Sequence, residues 1–286
     1  GRSDVWGGVV NRIKLQPAKN CLFGCLYALV LKYGIDVDES EVYFCCNGLD
    51  IYYNAENYTL RLGAYEDLLN AFLTAIQGQT TIAYDIRARY VLDHLSRGEW
   101  LILYVDPRCL HYYPFFTESS SRAHFVLAAG IEPDEKIYVL DPHLVNENGI
   151  TTYQGKVKIS DIQSGVRGIA HVSLDDGVTP QKTVICRLAY QAIDRFVHAH
   201  KDRGLHAVQA YIQDIQQFRH LGGHALELQM KEIVYTLKSG IFLYLYDYLR
   251  SFTKRYVGEE KEFAHLDADL QDDTAVIEEM VIKYKE

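Results

Sequence analysis

The chain has 286 residues, 29 basic against 38 acidic, for a net charge of −9. That length suits one large domain or two modest ones, and 48% hydrophobic with 23% charged residues excludes wholesale disorder. The acidic balance excludes a protein that grips nucleic-acid phosphates, and the longest apolar run, 240–249, holds Asp247 and falls short of the ~18 residues of a membrane helix.

In chain order, Leu22, Cys25, Leu26, Leu29, Val30 and Tyr33 recur on one face and predict a buried helix over 21–33 that Gly34 closes. Asp38-Glu39-Ser40-Glu41 reads as the acidic first turn of a short helix through Cys45. Amphipathic patterns over 64–76 and 87–96 predict two more helices. From Trp100 the period changes. Strands are predicted over 100–105, 125–131 and 137–140, then 151–153, 156–159 and 169–174, with Glu132-Pro133-Asp134-Glu135 as a turn. Helices first and strands afterwards make an α+β fold. Asp175 to Pro180 is the expected boundary, giving a catalytic domain over 1–177 and a helical domain over 178–286. In the second, helices are expected over 184–201, 206–220, 224–256 and 273–284, packed on the first domain or forming a homodimer surface.

Two features carry chemistry. Cys21 stands where a helical pattern begins, after the candidate N-cap Asn20, and the dipole and open amides of a helix start favour a thiolate. Free cysteines are otherwise small buried hydrophobes, which is the reading for Cys25 one turn along. The second feature is His124-Phe125-Val126, a turn, and Val139-Leu140-Asp141-Pro142. A hairpin centred between Pro133 and Asp134 pairs Val126 with Asp141. His124 and Asp141 then become diagonal neighbours on one face, about 7–8 Å apart. A one-residue slip would separate them. His143 falls opposite His124 in this register and competes as a base, although Pro142 is expected to end the strand. A nucleophile, a base and an orienting carboxylate are the parts of a cysteine acyl-transfer site.

The run from Cys21 to Gly34 resembles the nucleophile helix of papain-like bacterial cysteine peptidases, including those that trim bacteriocin leaders. His124-Phe125-Val126 and Val139-Leu140-Asp141-Pro142 resemble their second motif. The chain is most similar to the butirosin-biosynthesis acyltransferase (BtrH) family, with the closthioamide amide-forming enzyme (CtaG) as a related type. The likeness spans roughly 16–142. It implies a papain-like fold with N-terminal helices, an antiparallel sheet and a helical C-terminal extension. It also implies Cys21 as nucleophile, His124 as base and Asp141 as orienter. The family's oxyanion-hole Gln would be Gln16, although Gln16 lies one residue closer to the Cys than the peptidase pattern places it; Asn20 is the alternative, or only a cap.

No cofactor and no metal is expected. The cysteines form no CxxC units, so reduced thiols are expected; residues 1–15 carry no signal-peptide core, and a cytoplasmic location is expected. Gly222-Gly223 interrupts the His220 and His224 pair, His198 and His200 lack a partner Glu, and the 22 tyrosines are read as packing. The acidic residues Asp267, Asp269, Asp272 and Asp273 read as a solvated face. The reaction expected is acyl transfer from a carrier-protein phosphopantetheine thioester to a small amine, and the acidic chain suits a polycationic acceptor such as an aminoglycoside. An acidic carrier would need basic residues to dock, for which Lys32, Arg12 and Lys14 are candidates. A peptidase or amidase with the same triad, and an inactive scaffold, are the alternatives.

Overall fold

The computed structural model describes residues 14–84, 88–117, 124–146, 148–174, 182–215, 222–238 and 241–256. Helix α1 (Cys21–Lys32) starts because Asn20 Oδ1 accepts from the amides of Leu22 at 2.9 Å and Phe23 at 3.2 Å. It ends at Tyr33, and Gly34 follows in the left-handed region with φ +71°. Helix α2 (Glu39–Cys45) opens on a reciprocal capping box between Asp38 and Glu41. The short strands β1 (Ile51–Asn54) and β2 (Thr59–Leu62) pair antiparallel, and α3 (Tyr65–Ile76) follows.

The remaining strands form one antiparallel sheet. They are β3 (Gln79–Ala83), β4 (Leu101–Val105), β5 (His124–Glu132), β6 (Lys136–Asn146), β7 (Gly149–Lys158) and β8 (Val166–Ser173), ordered β3-β8-β4-β5-β6-β7. The architecture is α+β. Helices α4 (Ala88–Ser96) and α5 (Ile159–Gln163) pack with Leu101, Leu103, Val126 and Val139 on one face of the sheet. Ile102, Leu127, Leu140 and Val172 on the other face join α1, α2 and α3.

Several expectations need correction. Strands are not confined to the second half, because β1, β2 and β3 precede β4. β3 is an edge strand with only partly buried and exposed residues, so it lacks the apolar alternation that marks a strand in sequence. The two strands expected within 151–159 are one, β7. Pro142 does not end β6. The β6–β7 register shifts between Asp141 and Leu144, and a proline missing its N–H is tolerated at such a bulge.

The β5–β6 hairpin departs from the expected turn. Glu132 pairs with Lys136 across three residues, with Asp134 and Glu135 at φ 61° and 54°. A bulge between Ala128 and Gly130 takes up the extra residue, so Leu127 pairs with Leu140 as a two-residue turn would have placed it.

Four helices follow: α6 (Lys182–His198), α7 (Gly204–Ile215), α8 (Gly223–Lys238) and α9 (Ile241–Tyr256). The expected boundary, the 273–284 helix and the acidic residues from Asp267 to Asp273 lie outside the described residues. Ile185, Ala189, Ala207, Tyr211, Ile241 and Tyr248 share one buried cluster with α1 and α2, so the helical region has no separate core from the first helices. Tyr53 ties β1 to this region through its amide, which donates to Asp202 O, and its hydroxyl, which donates to Asp214 Oδ2 at 2.6 Å.

Candidate active site

The loop before α1 is held against the bulge of β6. Ala18 N–H donates to Pro142 O at 2.8 Å, and His143 Nδ1 donates to Ala18 O at 2.7 Å. Gly24 permits the approach, since a Cβ there would lie 2.4 Å from Ala18 Cβ and 2.8 Å from Pro142 Cγ. This contact carries the start of α1 to the end of the sheet where His124 and Asp141 stand.

Asp141 is fully buried and His124 nearly so. Asp141 Oδ2 accepts from His124 Nε2 at 2.9 Å and from the Tyr112 hydroxyl at 2.8 Å, and Oδ1 accepts from the His143 amide at 3.1 Å. With Nε2 engaged by the carboxylate, the His124 ring is also influenced by Cys21, which favours its charged form. Burial opposes a charge on His124, but Asp141 and then Cys21 outweigh it and hold its pKa up to about 10. Burial lowers the pKa of His143, whose Nδ1 is already committed to Ala18 O.

Cys21 is half-buried at the first position of α1. Cys25 is buried, and burial followed by the charges of Cys21 and Asp141 keeps its thiol well above the usual pKa. The structure therefore brings Cys21, His124 and Asp141 together and leaves Cys25 in the core. Gln16 is exposed on the preceding loop; its Nε2 donates to Lys14 O at 3.4 Å, with no hydrogen bond to Cys21 or His124 among the described residues. Asn20 acts as the helix cap.

Tyr112 was legible in the sequence only as a member of an aromatic cluster. It stacks on Tyr153 with ring centroids 3.9 Å apart, and both line a cavity of about 240 Å³ with Lys136, Lys156 and Lys158. Lys32 is not a free docking cation. It donates to Gly98 O and lies 4.9 Å over the Trp100 ring, and its pKa is lowered to about 8 by burial. Arg12 lies outside the described residues.

His94, Glu99 and His171 bring three ligand atoms within 4.8 Å of one another, a grouping that no sequence spacing announced. Arg97 donates to Glu99 Oε2 at 2.9 Å and also bonds His94 Nδ1 at 3.1 Å. A guanidinium therefore supplies the positive charge at this cluster. His198 bonds Asp194 and His224 pairs with Glu227, both exposed; His220 lies outside the described residues.

The sequence matches no protein-family model and no curated protein. Among solved structures it is similar to a Bacillus anthracis protein described as a candidate C39-like peptidase. The TM-score is 0.40 at 13% identity, over 57% of this chain and 96% of that one, a depth of likeness that carries no argument about activity. No helix among the described residues is long and apolar enough to cross a membrane.

Proposed function

We propose that the chain is a papain-like cysteine acyltransferase, with Cys21 as nucleophile, His124 as base and Asp141 as orienter. One observation carries the covalent mechanism: His124 is bonded through Nε2 to the buried Asp141 carboxylate, beside the start of α1 where Cys21 stands half-buried. The sulfur attacks the carbonyl of an acyl or peptidyl carrier thioester. A new C–S bond forms, the carrier's C–S bond breaks, and the phosphopantetheine thiol leaves with the His124 proton. A small amine then attacks the acyl-enzyme, His124 takes its proton, and Cys21 departs as thiolate, leaving an amide.

Transfer rather than hydrolysis is supported by the resemblance in 21–34 and in the His124 and Asp141 motifs. The charge of −9 suits a polycationic acceptor such as an aminoglycoside. Lys136 and Lys158, beside the cavity that Tyr112 and Asp161 line, offer positive charge to an acidic carrier, while Lys156 there is paired with Glu132 at 2.6 Å. Water at ~55 M wins unless the amine is positioned, and positioning reaches effective molarities on the order of 10⁵–10⁸ M. The helical region is the source of that shield in this reading, and a cytoplasmic location goes with it.

Attack by water would make the same site a peptidase or amidase. Mass spectrometry of the chain incubated with an acyl-carrier thioester separates these readings. An adduct on Cys21 that only an amine releases is expected, and rapid release by water would replace the acyltransferase with a hydrolase. No adduct with any donor would leave a scaffold.

A further inference from the structure

Glu39 is the first residue of α2, yet its carboxylate serves another part of the chain. Oε1 accepts from the Lys19 amide at 2.9 Å and the Asn20 amide at 3.3 Å, and Oε2 lies 3.2 Å from the Lys19 amide. The hydroxyl of Tyr248, on α9, donates to Oε1. Asp247, the preceding residue of α9, pairs with Lys19 Nζ at 2.6 Å. The Tyr248 ring packs 4.5 Å from Tyr43 and 6.1 Å from Phe23, whose amide is one of the two held by Asn20. Helix α9 thus reaches the two residues before Cys21 by two polar routes and the first turn of α1 by an apolar one.

The amides on either side of Cys21 are pinned, Asn20 N–H by Glu39 and Leu22 N–H by Asn20 Oδ1. The Cys21 N–H between them has no protein acceptor among the described residues. A backbone donor fixed from both sides and left open beside a nucleophile is the arrangement that stabilises an oxyanion. Gln16, exposed and bonded to Lys14, does not supply such a donor.

We propose that Glu39 and Tyr248 are positioning residues: the clasp they form holds the Lys19 and Asn20 amides so that the Cys21 N–H is aimed at the oxyanion of the acyl-transfer intermediate, which makes α9 a working part of the site. The proposal rests on the reading of Cys21 as nucleophile. Neither residue touches the reacting atoms. The clasp acts by fixing the peptide plane between Asn20 and Cys21, so its loss lowers acylation without changing what the thiol can do in a reaction that builds no oxyanion.

Tyr248→Phe in the full chain tests this, since the ring contacts stay and only the hydroxyl goes. Acylation of Cys21 by p-nitrophenyl acetate passes through an oxyanion, whereas alkylation by iodoacetamide does not. Tyr248→Phe is expected to slow acylation about 10-fold and to leave alkylation within about twofold. Amide hydrogen exchange of a peptide spanning 18–22 is expected to quicken. Glu39→Gln, which turns one acceptor oxygen into a donor, should show the same signature. Unchanged exchange in both variants overturns the clasp. Faster exchange with acylation and alkylation slowed equally, or neither slowed, overturns its role in aiming the amide. If Cys21→Ala is acylated as fast as the wild type, the reading of the nucleophile fails instead, and the exchange experiment still decides whether the clasp exists.

Discussion

The amide of Ala18 donates to the carbonyl of Pro142 at 2.8 Å, and through this bond the chain before the first helix is joined to the bulge of β6. His143, the next residue along β6, returns a bond to Ala18 O. Cys21 follows three residues after Ala18, and Asp141 precedes Pro142, so two bonds in the backbone path set the distance between the thiol and the carboxylate's imidazole.

Gly24→Ala places a methyl 2.4 Å from Ala18 Cβ and 2.8 Å from Pro142 Cγ. Overpacking of this kind is expected to cost about 1–3 kcal/mol. Because the clash lies between α1 and β6, acylation of Cys21 should fall with stability. Denaturant melts and acylation by p-nitrophenyl acetate check both, and wild-type values in each would contradict the account of this contact.

Cys21→Ala is expected to abolish acylation and to leave the circular dichroism spectrum unchanged, since Cys21 is only half-buried at the helix start. Cys25→Ala should do the reverse. It empties part of a fully buried site, at about 1 kcal/mol, while acylation persists. Substantial turnover by Cys21→Ala would move the nucleophile elsewhere.

Asp141→Asn removes an acceptor shared by His124, Tyr112 and the His143 amide. The ring loses its orientation and its countercharge, and acylation should slow by roughly 10²–10⁴-fold without vanishing. Tyr112→Phe leaves the His124 bond in place and should cost only a few-fold. Single-turnover acylation rates compare the two, and equal losses would show that Tyr112 matters as much as the orienting carboxylate.

The pKa of His124, raised to about 10, sets the direction of a stability change. A histidine raised above its unfolded value of about 6.5 contributes stability that is complete below that pH and is lost as pH rises through about 10. Wild-type stability should therefore fall between about pH 7 and pH 10 relative to His124→Gln, measured by denaturant melts at each pH. Parallel curves for the two proteins would mean that His124 holds no extra proton in the folded state.

Glu39 shifts in the same direction over a lower pH range. Burial lifts its pKa to about 7, against the bonds from Tyr248, Asn20 and Lys19 that lower it. The folded state keeps a proton that the unfolded chain releases near pH 4.5. Its contribution therefore falls as pH climbs from about 4.5 to about 7. Glu39→Gln should flatten that stretch of the stability curve, and a curve superimposable on the wild type would contradict the shift.

Much of the site's local structure was legible in the chain. Asn20 before an apolar 3.6-residue pattern predicts a helix start at Cys21, and the structure caps α1 at that residue. His124 and Asp141 were placed as neighbours from strand alternation, and the structure bonds them. These are short-range properties: a cap, a period and a turn are decided by residues within a few positions of one another.

Tertiary packing decided the rest. The three-residue turn by itself would have slipped β5 against β6 and set His124 and Asp141 on opposite faces. The bulge between Ala128 and Gly130 restores the pairing, because both faces of these strands are buried and one register alone buries Val126 and Leu127 on their proper sides. No local pattern marks that bulge. Nor does any motif connect Glu39 to Lys19, or Tyr248 to a cysteine more than two hundred positions away; those bonds exist because α9 shares a core with α1 and α2. The sequence by itself determined which residues could do the chemistry and which helix would present the thiol. Close packing of elements far apart in the chain decided which polar groups surround that thiol, since a buried donor or acceptor must find its partner wherever the fold brings one within reach.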